Sequence, residues 1–142
     1  MSAADATEAW VRDFVIAHTL CPFAARPYAL GLVKTVELPG ADLKRCFEGA
    51  LAQVQSLVGT LAEDVETTLL VFPDALASFE EFLDFLETLF VTLEEVGADE
   101  VLQLAHFHPH YVFEGAAPDD PGNRTNQAPY PIIQLLRVAS VA

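Results

Sequence analysis

Three of the four histidines, His106, His108 and His110, fall within the single stretch HFHPHYVF. Residues two apart on an extended strand point to one face, which is how strands present paired metal ligands. On that reading His106 and His108 supply two nitrogens, His110 a third, and Asp119 or Asp120 an oxygen. The competing reading is a run of ring side chains hydrogen-bonded at a strand end. No H-E-x-x-H helix and no C-x-x-C pair accompanies the histidines, so a transition metal is not favoured and the cofactor is left unknown. An imidazole also titrates near neutrality, which makes His108 a candidate general acid or base. Beside it, Cys21 is a candidate nucleophile of the cysteine–histidine type. Its place after an expected helix end disfavours a thiolate, and a buried structural thiol is the better reading of the residue itself. Cys46 falls on the apolar stripe of a helix and reads as a small hydrophobe.

A second cluster follows in DDPGNRTNQAPYP. Asn123, Thr125 and Asn126 flank Arg124, one of only seven basic residues in the chain. Together, just before an expected helix start, they suit a carboxylate or phosphate group. The same Asn and Asp side chains also make Asx turns on their own backbone, so a tight polar loop needs no ligand. The acidic spacing does not fit an EF-hand.

The elements that must position these residues read as follows. Residues 5–19 form a helix opened by Asp5 and Glu8, and 32–38 a strand rich in β-branched residues. Asp42 caps a helix to about residue 62, with apolar residues at a 3.6-residue period. TTLLVFP (67–73) is a continuous apolar run stopped by proline, as in a central strand covered on both faces. Ser78 and Glu81 open a helix whose outward face carries Glu80, Asp84, Glu87, Glu94 and Glu95, read as a solvated surface. Gly97 closes it, and residues 100–107 give a third strand. A short fourth strand is placed at Tyr111–Phe113, and PIIQLLRVAS is read as a final helix with Pro131 in its first turn. The expected fold class is therefore α/β: one domain over residues 1–142, with a three- or four-stranded sheet flanked by helices in the order α-β-α-β-α-β-(β)-α. Ligands in such sheets gather beyond the carboxyl ends of the strands, where FHPHY and the long loop after it fall.

Composition bounds the function. The 142 residues carry 21 acidic against 7 basic residues, a formal charge of −14. Nucleic acid and anionic membranes would be repelled, and no basic stripe exists to overcome that. The acid excess serves solubility, and attraction of a cationic ligand stays open. No apolar run reaches the ~20 residues that span a bilayer, and the start lacks the basic flank of a signal peptide, so a cytoplasmic location is expected. The oligomeric state is not legible.

Trp10, LCPFA (20–24), TTLLVFP, FLDFLE (82–87), FHPHYVF, NRTN and PYPIIQLLR (129–137) together resemble the bacterial domain of unknown function 1415. The resemblance runs across nearly the whole chain, and it implies no activity. Members carry Ser and Asp where this chain has His106 and His110, so of the three histidines only His108 matches, which weakens a three-histidine centre. Cys21, Asn123, Thr125, Asn126, Tyr130 and Arg137 also match, whereas Gln127-Ala128 replaces an expected Arg-Ser pair. Family chains continue past the final helix, which implies that a C-terminal segment is missing here after Ala142.

Two functions are expected from these residues. In one, the protein is a small-molecule enzyme of hydrolytic or acyl-transfer type. His108 is then the acid or base, Cys21 the nucleophile or a wall, and Asn123, Arg124, Thr125, Asn126 and Tyr130 hold the substrate. In the other, the same residues order a loop in a non-catalytic ligand-binding or protein-interaction domain.

Overall fold

A computed structural model describes residues 2–16 and 28–141. Helix α1 (Ala3–Trp10) starts at Ser2, whose hydroxyl accepts from Asp5 N–H while the Asp5 carboxylate accepts from Ser2 N–H. The capping box thus begins three residues before the expected Asp5 cap. The helix widens into a π-helical segment over Val11–Ile16. Strand β1 (Val33–Glu37) leads to α2 (Leu43–Val58), capped by Asp42 as its sequence foretells, with Cys46, Ala50, Val54 and Leu57 buried at i, i+4, i+8 and i+11. Strand β2 (Thr67–Val71) is buried at every position. Helix α3 (Phe79–Glu95) starts at Ser78 and buries Phe82, Phe85, Leu89 and Leu93, and Gly97 beyond it takes the left-handed conformation.

Strand β3 (Leu102–Phe107) is followed not by a strand at 111–113 but by turns and a 3₁₀ segment over Pro121–Asn126. The fourth strand is β4 (Ile132–Arg137), where a helix was expected, and only the short α4 (Val138–Val141) is helical there. The physical reason is burial on both sides. Ile132, Ile133 and Leu135 are fully buried, and a short run apolar on every side has the same pattern as a strand or a helix. Pro131 suits the start of either element.

The sheet order is β1-β2-β4-β3, with β1 parallel to β2, and β4 antiparallel to both β2 and β3. Strands β1, β2 and β3 therefore run one way, and β4 fills the gap between β2 and β3 in the reverse sense. Both long helices cover one face, where Leu70, Ile133, Leu135 and Leu102 meet Val54, Leu57, Phe82 and Leu89. Leu69, Val71 and Ile132 on the other face meet Ala3, Val11 and Trp10 of the N-terminal helical segments. At the far end, Arg137 Nη2 donates to Leu57, Thr60 and Val65 carbonyls at 3.2, 2.8 and 2.7 Å. It thereby caps the C-terminus of α2, where a cation is favoured. Among the described residues no helix is long and apolar enough to cross a membrane.

Candidate functional site

The strand register places Glu37, Val71, Ile132 and Phe107 in one row, so three carboxyl ends and the amino end of β4 share an edge. The segment 108–131 starts and finishes on that edge. It holds every candidate residue of the sequence reading except Cys21, which lies outside the described residues, and His106, on β3 itself.

His108 is 0% exposed. Its Nδ1 accepts from the His110 N–H at 3.0 Å, so Nε2 carries the proton and donates to the Leu76 carbonyl at 2.8 Å. The ring packs against both Phe79 and Phe82, with centroids at 5.3 and 5.1 Å. Burial pushes its pKa below the usual imidazole value, the Leu76 bond opposes that, and the nearby His110 adds to it. The backbone of His108 is used as fully. Its N–H donates to Asn126 O at 3.0 Å, and its carbonyl accepts from Tyr111 and Ala128 N–H groups at 3.1 and 3.4 Å. One residue thus ties β3 to the β2–α3 connection and to the 3₁₀ segment. Neither ring nitrogen is left open to a substrate.

Leu76, at the other end of the imidazole bond, is buried with φ +63°, the one non-glycine residue in the left-handed region among those described. That conformation costs a leucine roughly 1–2 kcal/mol. It persists because the carbonyl it aims at His108 is satisfied inside the core. The sequence carries no glycine or asparagine there to signal it.

Asn123 is also 0% exposed. Its Oδ1 accepts from Phe113 N–H at 3.0 Å, and its Nδ2 donates to Ala117 O at 2.9 Å, with Pro118 O at 3.5 Å. Asn126 Nδ2 donates to His106 O at 2.9 Å, and its Oδ1 accepts from the Thr125 hydroxyl at 3.1 Å. Asp120 accepts from Gly122 N–H at 2.8 Å and starts the 3₁₀ segment. Gln127 Nε2 donates to Tyr111 O at 3.3 Å. These amides therefore close the loop on itself. Arg124 and Thr125 are exposed, and the Arg124 side chain makes no hydrogen bond or ion pair among the described residues. Tyr130 is half-buried and packs with Trp10, Phe107 and Ala128 on the α1 side of the sheet.

His106 and His108 do share the face toward α3, but the three rings go separate ways. His106 stacks on Tyr111 with centroids 5.5 Å apart, its Nδ1 buried without a partner and its pKa lowered by burial. His110 is exposed, its ring 5.7 Å from that of His108. Among the described residues no three His, Cys, Asp or Glu side chains form a group able to hold a metal. Cys46 is buried, and desolvation, then Asp42 and Asp74, raise its thiol pKa, which fits an inert thiol.

Neither the comparison with curated proteins nor that with solved structures gives a match. The family model described as "Protein of unknown function (DUF1415)" matches residues 2–142, through every element that builds this edge. The chain belongs to the DUF1415 family.

Proposed function

We propose that this protein is a non-catalytic binding domain that takes a small anionic molecule at the carboxyl edge of its sheet. One observation carries the reading: the ring nitrogens of His108 and the amide groups of Asn123 are all spent on backbone partners inside the protein. A general acid or base needs an atom within reach of the substrate's proton, and an oxyanion donor needs a free N–H. Frame residues need neither. What the frame leaves free is the Arg124 guanidinium, with the exposed His110 imidazole on the same loop. A guanidinium without a carboxylate partner is suited to a carboxylate or phosphate group.

The test uses ¹⁵N-labelled protein with a set of small carboxylates and phosphomonoesters, the mixture being analysed again after overnight incubation. Reversible shifts around Arg124, lost in Arg124→Ala, with every compound recovered unchanged, support the reading. Conversion of a compound that is abolished by Cys21→Ser or His108→Gln overturns it. So does a single thiol that reacts at pH 7 far faster than a peptide thiol. With Cys46 buried, such a thiol can only be Cys21.

A further inference from the structure

On the outer flank of α3, Glu80, Leu83, Glu87, Phe90 and Glu94 follow one another at spacings of 3, 4, 3 and 4 residues. That spacing puts them on a single ridge of the helix. All five are exposed, Leu83 at 39% and Phe90 at 46%. Acid and apolar residues thus alternate along one stripe. Leu83 and Phe90 are not scattered singly: both line one groove, an apolar surface rimmed by acid, which is the pattern of an interaction site. The stripe borders a groove of about 270 Å³ whose floor is Leu86, Leu104 and His106, beside the free edge of β3.

Two occupants fit poorly. Val138 N–H bonds Val101 O, so in the antiparallel ladder the N–H and C=O of Leu102, Leu104 and His106 face away from β4. Asn126 already takes the His106 carbonyl and the His108 N–H from outside, which leaves an added strand little more than Leu102 and Leu104 to pair with. A second copy of this chain would bring another −14 of formal charge against the same three glutamates. The glutamates recur every seven residues, about 10.5 Å along the helix, the repeat of another helix and not of a strand.

We propose that this flank docks a basic amphipathic helix of a partner protein. Its Lys or Arg residues, seven apart, would lie against Glu80, Glu87 and Glu94, and its apolar residues against Leu83, Phe90 and the groove. The surface is separate from Arg124, so the two proposals stand or fall independently.

The probe is a labelled 21-residue helical peptide with Lys and Leu at the two stripe positions of each heptad. A shuffled peptide of identical composition and a Glu-for-Lys version serve as its counterparts. Anisotropy should show binding of the first alone, weakening as salt rises. Shifts in ¹⁵N spectra should stay within α3 and β3. Leu83→Ser with Phe90→Ser, which leaves the charge untouched, should weaken binding by about tenfold or more. Glu80→Lys, Glu87→Lys and Glu94→Lys together should transfer preference to the Glu peptide. Equal binding of the shuffled peptide, indifference to the serine variant, or no binding at all overturns the proposal. A dimer in sedimentation that Phe90→Ser dissociates overturns it in favour of a second copy.

Discussion

The layer between the sheet and its two long helices and the loop over the strand ends are both buried, yet different forces hold them. In the helix layer Phe82, Leu89, Leu70 and Ile133 interlock, and removal of apolar surface from water supplies the stability. In the loop the buried polar residues are His108 and Asn123, whose contribution is to satisfy carbonyls and N–H groups that have no ladder to join. The first kind of region tolerates apolar exchange of similar volume; the second fails when one hydrogen-bond partner goes. Buried polar residues can thus be fixed by loop accounting as firmly as by chemistry.

Phe82 sits where the two regions meet, packed on Phe79 and His108, and its truncation should have the largest effect. Phe82→Ala is expected to cost about 3–5 kcal/mol in urea denaturation. A loss under 1 kcal/mol would mean that the layer is not close-packed there. His108→Ala should cost about 2–4 kcal/mol, because it leaves the Leu76 carbonyl buried without a partner and the His110 N–H unpaired, as well as opening a void. Hydrogen exchange should quicken around Leu76 and His110 together, and exchange confined to one of them would break the link drawn between them. Asn123→Ala removes partners of Phe113 N–H and Ala117 O at a cost of about 1–3 kcal/mol. Its mark should be local, with proteolytic nicking between residues 113 and 123 before any loss of the helix layer.

The smallest effect is a pH slope. His106 and His108 both have pKa values lowered by burial, so below the ordinary imidazole value of 6.5 the unfolded chain binds more protons than the folded one. Stability is then fully present above pH 6.5 and falls as the pH drops from there toward the folded values. The slope reaches at most about 1.4 kcal/mol per pH unit for each histidine. Denaturant midpoints between pH 7 and 5.5 measure it, and His108→Gln should remove about half of the slope. An unchanged slope would assign the effect to other groups.

The legibility of the fold divides along similar lines. Helix α2 announces itself through Asp42 and a clean apolar period, and α3 through Ser78. TTLLVFP reads as a strand because Pro73 stops it at strand length. PIIQLLR has the same apolar density, but no breaker separates it from VAS, and its length then suggests a helix. The two segments lie side by side in the sheet and differ in the sequence only by punctuation. At the site, the motifs FHPHY and NRTN were legible as belonging together. That Asn126 would bond the backbone of His106, or His108 that of Leu76, was not. Arg124 and Tyr130, placed with them on sequence grounds, stand apart from that network.

By itself the sequence determined what depends on neighbours a few residues away: the capped helices, the three parallel strands and the α/β class. Periodicity and capping are local physics, written in consecutive side chains. Only the tertiary structure decided that β4 fills the gap between β2 and β3, that Arg137 caps α2, and that His108 is a neutral strut. The partners in the last two cases lie 32 to 80 positions away, Leu76 for His108 and Leu57 for Arg137. A buried polar group is defined by what meets it in space, and no spacing along the chain records that meeting.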